Sequence, residues 1–221
     1  MTGTRTENET LARVPQQSRS RASFERMMTA AEALLVERGS DTFTLTEVSK
    51  VGKVSIGSIY LRFKSKDELL QAVQGRVMER MENDHGKIIM RARSRGSSVE
   101  TLVEALVHEV GEFLKSHAGI LRPMMLRASS DEIVSQRGRR GYENLMGLVV
   151  EELQPHVAAV RHDDPLRAVR AAFNIAYAAF ARELGLGSSN EQSNHSDWTR
   201  LKDDVGQMAA AFLLARKPYA D

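Results

Sequence analysis

Residues 43–70 read FTLTEVSKVGKVSIGSIYLRFKSKDELL and contain closely spaced signals for the start and end of helices. Thr44 precedes Glu47 by three positions, the spacing of a capping box, in which hydroxyl and carboxylate each accept a backbone amide at the start of a helix. The same spacing recurs in three further pairs, Ser65 with Glu68, Ser97 with Glu100 and Ser129 with Glu132. The pattern predicts two short helices at about 45–52 and 56–63, then a long helix from Lys66 to about Arg93.

An amphipathic helix is predicted before this stretch, because apolar residues recur every three or four positions from Arg21 until Gly39. Two helices of about two turns bury little surface alone, so they need this third helix. Such a three-helix unit leaves the second short helix free to enter a DNA major groove about 12 Å wide. The residues expected to face its core are Val48, Val51, Val54, Ile59 and Phe63.

The stretch resembles the DNA-binding region of the tetracycline-repressor (TetR) family. The match is ungapped and covers about residues 21–82 by motif; beyond it, only length and helical layout agree. The matching residues are Thr44, Glu47, Val48, Val54, Ser55, Gly57, Ser58, Ile59, Tyr60, Phe63, Ser65, Lys66, Leu69 and Leu70.

The resemblance implies an all-helical regulator of about nine helices that binds an inverted-repeat operator as a homodimer. A small-molecule effector would release it, so a repressor is expected. Its parts would be a flexible N-terminal arm at 1–19, a helix-turn-helix domain at 20–66, and an effector-binding and dimerisation domain at 67–221.

The resemblance also implies roles for single residues. Thr44 would cap the second helix and present its amides to a phosphate, while Thr46 stands where some relatives contact a base. Ser55 would cap the recognition helix, and Tyr60 and Lys66 match phosphate-contacting positions. The residues expected to face the groove are Ile56, Gly57, Ser58, Leu61 and Arg62.

Two positions depart from the family pattern. Lys53 stands in the turn where the family usually has glycine, and Gly52 precedes it. Either Lys53 adopts a left-handed conformation, at a cost on the order of 1–2 kcal/mol, or Gly52 does and the turn shifts. Lys53 is a candidate phosphate contact or a solvated lysine. Leu61 replaces an aromatic residue or histidine, and either contacts a thymine methyl or packs internally.

Two C-terminal segments, 165–184 and 197–216, carry apolar stripes with the spacing of a helix-bundle seam. Such stripes face either a partner or the core of their own domain. In the TetR family the last two helices form a four-helix bundle with the partner, which favours the first interpretation. The predicted interface residues are Leu166, Val169, Phe173, Ala176, Phe180, Trp198, Leu201, Val205, Met208 and Phe212.

The segment between these parts is expected to form the body that holds the effector. Methionine is frequent there, and it suits adaptable pockets as well as ordinary cores. Polar residues also interrupt or flank the apolar faces. The candidate ligand-binding residues are His108, Met124, Tyr142, Asn174 and Tyr177.

Charge is distributed unevenly along the 221 residues. Residues 1–66 hold 11 Lys/Arg against 7 Asp/Glu, a net +4, whereas residues 67–221 hold 20 against 22, a net −2. The basic excess favours docking of a polyanion at the N-terminal third. The chain has no cysteine, which excludes disulfides and thiolate metal sites. Without a run of about 18 apolar residues or a signal-peptide core, the expected location is the cytoplasm.

Catalytic signatures are missing from the sequence. It contains neither a glycine-rich phosphate loop nor a G-x-S-x-G elbow, and the one Glu-x-x-His pair, Glu82 and His85, has no second copy. We therefore predict no enzyme activity, no cofactor and no metal. Two alternatives remain: a helical enzyme, and a DNA-binding dimer without effector, which would have a filled core in residues 67–180.

Overall fold

The structure, a computed structural model, describes residues 16–186 and 197–215. These residues form eight α-helices, a 3-10 helix over Gln154–Ala159 and no strand, close to the predicted nine helices. None of these helices is long and apolar enough to cross a membrane. The helices are α1 Gln16–Arg38, α2 Leu45–Gly52, α3 Ile56–Tyr60, α4 Lys66–Arg95, α5 Val99–Ala128, α6 Glu132–Leu153, α7 Pro165–Glu183 and α8 Trp198–Leu214.

Two helix boundaries differ from the sequence prediction. Helix α1 begins at Gln16, so the last residues of the predicted arm are helical, while residues 1–15 lie outside the described part. Helix α3 ends at Tyr60, because Leu61 and Arg62 continue as a turn. The recognition helix is therefore shorter than the predicted 56–63.

The capping prediction is confirmed in full at α2 and only in part elsewhere. Ser65 caps α4, but the Glu68 carboxylate accepts the amide of Lys64 rather than that of the cap. Helix α5 is capped one residue later than predicted, by Ser98. Asp131, not Ser129, caps α6, because its carboxylate accepts two amides, those of Ile133 and Val134.

The helices form a small head and a larger body around one continuous apolar core. Helices α1–α3 and the start of α4 make the head, and the rest of α4 with α5–α8 makes the body. Helix α5 is central, since it contacts α4, α6, α7 and α8 as well as α1. Helix α4 belongs to both parts, and over its 30 residues it spans about 45 Å.

Candidate functional site

The start of α2 is fixed by a capping box that is tied to α1. The Thr44 hydroxyl accepts the amide of Glu47 at 3.2 Å, and the Glu47 carboxylate accepts the Thr44 amide at 2.7 Å. Glu47 also pairs with Arg38 at the end of α1. The Arg38 hydrogen bond, with those from Thr44, lowers the pKa of Glu47 to about 2. The exposed first turn of α2, with Thr46 on it, is thus held in place by α1.

The turn between α2 and α3 resolves the roles of Gly52 and Lys53. Lys53 adopts the left-handed conformation, with φ 49° and ψ 48°. Gly52 is needed instead for packing, because a Cβ there would lie 3.0 Å from the Arg26 carbonyl oxygen and 3.3 Å from Ala30 Cβ of α1. The Ser49 hydroxyl donates to the Val54 carbonyl at 2.6 Å and closes the turn.

Helix α3 presents an exposed edge while one residue anchors it. Ile59 is completely buried, and the Ser55 hydroxyl caps the helix by accepting the amide of Ser58 at 3.1 Å. On the outer side, Tyr60 is 58% and Leu61 88% exposed. Leu61 therefore does not pack internally. We call the exposed side of this region the α3 edge; it comprises Thr46, Lys53, Ile56, Gly57, Tyr60 and Leu61.

Two basic residues predicted to contact DNA already have protein partners. Arg62 donates to the Ser20 carbonyl at 2.8 Å and lies over the Phe24 ring, 5.4 Å from its centroid. In this conformation its side chain is directed toward α1. Lys66 donates to the Asp41 carbonyl, which joins the start of α4 to the loop before α2.

The α3 edge lies in a stretch of strongly positive charge. Residues 44–66 contain five Lys/Arg and a single acidic residue, Glu47, which Arg38 already neutralises. Positive charge beside an exposed helix and two capped helix starts suits a phosphate backbone.

Head and body are joined by one arginine as well as by α4. Arg127, near the end of α5, donates to Asp41 of the head at 2.8 Å and to Asp67 at the start of α4 at 2.6 Å. It also contacts Asp131, the cap of α6, at 3.2 Å. We call these four residues the Arg127 junction. Arg127 thereby connects α5 and α6 directly to the head.

The body contains a cavity of about 290 Å³ between α4, α5, α6 and α7. Most of its wall is apolar and includes four methionines, Met78, Met81, Met124 and Met125. Polar groups line it from three helices: Gln74 and His85 from α4, Ser135 and Tyr142 from α6, and Tyr177 from α7.

The titratable groups inside the cavity are held neutral by burial. Burial lowers the pKa of His85 and raises that of Tyr142. Burial, followed by the neighbouring Tyr142, raises the pKa of Tyr177 to about 12. The charged residues of the wall, Glu82 and Arg139, are exposed instead of buried. The interior thus presents neutral polar groups in an apolar surround.

Comparison with known proteins agrees with this architecture. The family described as "Bacterial regulatory proteins, tetR family" matches residues 27–73, which include α2, α3 and the start of α4. Residues 27–73 therefore form a DNA-binding region of the TetR family of transcriptional regulators.

Solved structures of the TetR fold resemble the whole chain. A putative TetR-family regulator from Mesorhizobium loti has a TM-score of 0.68 at 16% identity, covering 88% of this chain and 96% of its own. The fatty acid degradation regulator FadR from Bacillus halodurans has a TM-score of 0.64 at 18% identity, covering 88% and 97%. GusR from Salmonella enterica has a TM-score of 0.61 at 17% identity, covering 90% and 98%. No curated protein matches the sequence.

In this TetR-family head, one residue predicted for the core lies outside it. Val48, Val54, Ile59 and Phe63 are buried, but Val51 is 53% exposed. Gly52 occupies the inward position beside α1, and Val51 therefore points to solvent.

The predicted ligand residues divide into two groups. Met124, Tyr142 and Tyr177 line the cavity, and Asn174 reaches it indirectly by accepting a hydrogen bond from the Tyr142 hydroxyl. His108 does not line it. Its Nε2 lies 2.8 Å from the buried Lys202 ammonium, between α5 and α8. Sequence reasoning missed Gln74 and noted His85 only in the Glu-x-x-His pair, because a polar residue at an inward helix position is recognised only once its neighbours are known.

The stripes predicted for a dimer interface mostly face the protomer's own core. The fully buried members are Val169, Phe173, Ala176, Phe180 and Val205. Leu166, Leu201 and Trp198 are half-buried against the same core, and the Trp198 indole donates to Glu112 of α5 at 2.8 Å. Only Met208 and Phe212 of the predicted set are exposed, at 65% and 41%.

Met208 and Phe212 are exposed because small residues form the buried face of α8. Gly206, Ala209 and Ala210 are buried, and a Cβ on Gly206 would lie 3.4 Å from Glu104 Cα of α5. The large residues Met208 and Phe212 therefore turn outward. Ile175 of α7, 60% exposed, adds a third apolar side chain to the solvent face of these two helices. We call Ile175, Met208 and Phe212 the outer face.

Proposed function

We propose that this regulator is a homodimeric repressor that binds an inverted-repeat operator and is released by a small molecule in the body cavity. The main support for the proposal is the α3 edge. Its side chains are exposed on a short, capped helix, and this helix lies in a basic stretch of a head that packs against the body. A DNA-binding regulator of a bacterial family acts where the DNA is, so we expect it in the cytoplasm.

On the operator, α3 would lie in the major groove and the flanking groups would contact phosphates. Tyr60 and Lys53 are exposed on either side of the helix and suit the backbone. Leu61, the most exposed large apolar residue of the head, suits a thymine methyl. Thr46 and the free amides at the start of α2 would add phosphate contacts. Lys66 retains ammonium protons for a phosphate beside its bond to Asp41.

Dimerisation would use the outer face of α7 and α8. Three exposed apolar side chains on adjacent helices are more than single scattered surface residues and suit a partner. A two-fold axis there makes the helices of two protomers a four-helix bundle and predicts a palindromic operator.

The cavity supports an effector over the alternative of a dimer that responds to none. That alternative predicts a filled core in residues 67–180, whereas a cavity of about 290 Å³ with neutral polar groups lies there. A ligand would act through α4, which runs from the head past the cavity, and through the Arg127 junction. A ligand with a 100-fold preference for one head spacing supplies roughly 2.7 kcal/mol of coupling.

The proposal is tested by selecting bound duplexes from a random pool with the full chain. We expect an inverted repeat with half-site centres about 34 Å apart. Tyr60→Phe should then weaken binding to all sequences alike, by about 0.5–1.5 kcal/mol for a lost phosphate hydrogen bond. Leu61→Ala should instead change the preferred base at one position in each half-site. If the selection enriches no inverted repeat, or if Tyr60→Phe and Leu61→Ala both bind DNA like the wild type, α3 is not the helix that enters the groove.

A further inference from the structure

One residue of the cavity wall carries a buried polar atom that has no partner among the described residues. Gln74 is 1% exposed and lines the cavity wall from α4. Its Nε2 donates to the Val134 carbonyl of α6 at 2.8 Å. Its Oε1 is buried and accepts no hydrogen bond from any described residue. Buried acceptors are normally satisfied, so this atom identifies a position for a ligand group.

The orientation of the Gln74 amide is fixed by its neighbour. Turning it over would place Oε1 against the Val134 carbonyl oxygen, and two acceptors would face each other. At this position in the cavity wall, Gln74 therefore has an unused acceptor and not an unused donor. The complementary ligand group must carry a hydrogen, as a hydroxyl or an amide N–H does.

The rest of the cavity argues against a charged ligand. Its buried wall consists of apolar side chains such as Phe113, Leu121 and Met124, and His85 is held neutral there. The charged wall residues, Glu82 and Arg139, are exposed. An ionised group in the interior would lose its water without gaining a counter-ion, which is unfavourable.

We propose that the cavity binds a small, uncharged, largely apolar molecule that carries one hydroxyl or amide N–H donor, and that Gln74 Oε1 accepts this donor. The volume of about 290 Å³ is at the small end for ligand pockets, and the methionine walls allow the apolar part to vary in shape. The inference rests on the proposed function insofar as this cavity is the effector site.

Four matched probes test the proposal by calorimetry on the full chain: 4-butylphenol, 4-butylanisole, butylbenzene and 4-butylbenzoate. They share the same apolar part and differ in having a donor, an acceptor only, neither, or a negative charge. We expect 4-butylphenol to bind roughly tenfold more tightly than each of the others. Binding of the anisole or the benzoate as tight as that of the phenol, or no binding of the phenol, would overturn the proposal.

Two variants test whether Gln74 is the residue that accepts the hydrogen bond of the ligand. Gln74→Met keeps the length of the side chain and removes the acceptor, so the preference for the phenol over butylbenzene should fall to about twofold or less. Tyr177→Phe removes the Tyr177 hydroxyl, which could accept the same hydrogen bond in place of Gln74. Loss of the preference in Tyr177→Phe and not in Gln74→Met would overturn the assignment to Gln74. The four-probe series on the unaltered chain decides the ligand class even if Gln74→Met does not fold.

Operator binding measured on the same samples separates this proposal from the function it rests on. Operator affinity that responds to the probes, without a preference for the donor, overturns the ligand class and leaves the proposed function standing. Binding that depends on the donor but leaves operator affinity unchanged overturns the proposed effector control and supports the ligand class.

Discussion

The head and the body of this protein are packed in opposite ways. The head is solid, and its candidate functional residues lie outside, on the α3 edge. The body encloses a cavity, and its candidate ligand residues lie inside, among methionines that can adapt. A firmly packed head must move as a unit, whereas a body with a cavity has a second arrangement available when the cavity is filled. The difference indicates that a signal would originate in the cavity of the body and that the head would respond to it by moving as a unit.

The largest expected effect distinguishes the inward and outward faces of the body. Val205→Asp places a carboxylate without a partner in the core and should destabilise the protomer by roughly 3–5 kcal/mol. Met208→Asp, three residues away on the outer face, should leave the protomer folded and abolish the dimer. Thermal unfolding and analytical ultracentrifugation distinguish the two. A Val205→Asp variant as stable as the wild type, or a dimeric Met208→Asp variant, would show that the faces are assigned wrongly.

The next effect tests the close packing of the head. Gly52→Ala brings a Cβ to 3.0 Å from the Arg26 carbonyl oxygen, so α2 must move away from α1, at a cost of about 1–3 kcal/mol. Gly57→Ala is the matched control, because a Cβ there meets nothing within 4 Å. We expect Gly57→Ala to retain full stability in thermal melts and still to weaken operator binding, since the groove would approach that surface. Equal stability of the two variants would contradict the close contact.

The same contrast explains what could be predicted from sequence. The bounds of α2 and the cap at Thr44 follow from residues a few positions apart, so local patterns sufficed for them. The exposure of Val51 and the contact of Arg62 with Ser20 depend on how α1 lies against the motif, and were missed. In the body, the faces of α8 follow from the approach of Gly206 to α5, and the cavity from four helices together. A larger helical body after the head was predictable; the place of Gln74 in the cavity wall and the outer face were not.

A smaller effect concerns the left-handed lysine of the turn. Lys53→Gly should stabilise the head by about 0.5–1 kcal/mol, because glycine adopts φ 49° without strain. Lys53→Ala removes the charge but keeps the strained Cβ, so it should give no such gain. If Lys53 contacts phosphate, both variants should reduce the salt dependence of operator binding by about one unit of slope per protomer. If Lys53→Gly unfolds at the same temperature as the wild type, the backbone of Lys53 is not strained.

The smallest expected effect is an acid dependence of the head. The pKa of Glu47 is about 2 in the folded chain against an ordinary 4.5, because Arg38 and then Thr44 bind its ionised form. The stabilisation is complete above pH 4.5 and is lost as the pH falls from there toward 2. Glu47→Gln should therefore flatten the loss of stability in that window. A variant with the same acid profile as the wild type would exclude this contribution.

One titration tests whether a ligand in the body cavity controls binding of the head to operator. The affinity of the full chain for 4-butylphenol is measured with and without saturating operator duplex, and the affinity for operator with and without saturating 4-butylphenol. Linkage requires the two factors to be equal. We expect operator to weaken binding of the phenol by the same factor, about 5- to 150-fold, by which the phenol weakens binding of operator. Equal affinity for the phenol in the presence and absence of operator would contradict it.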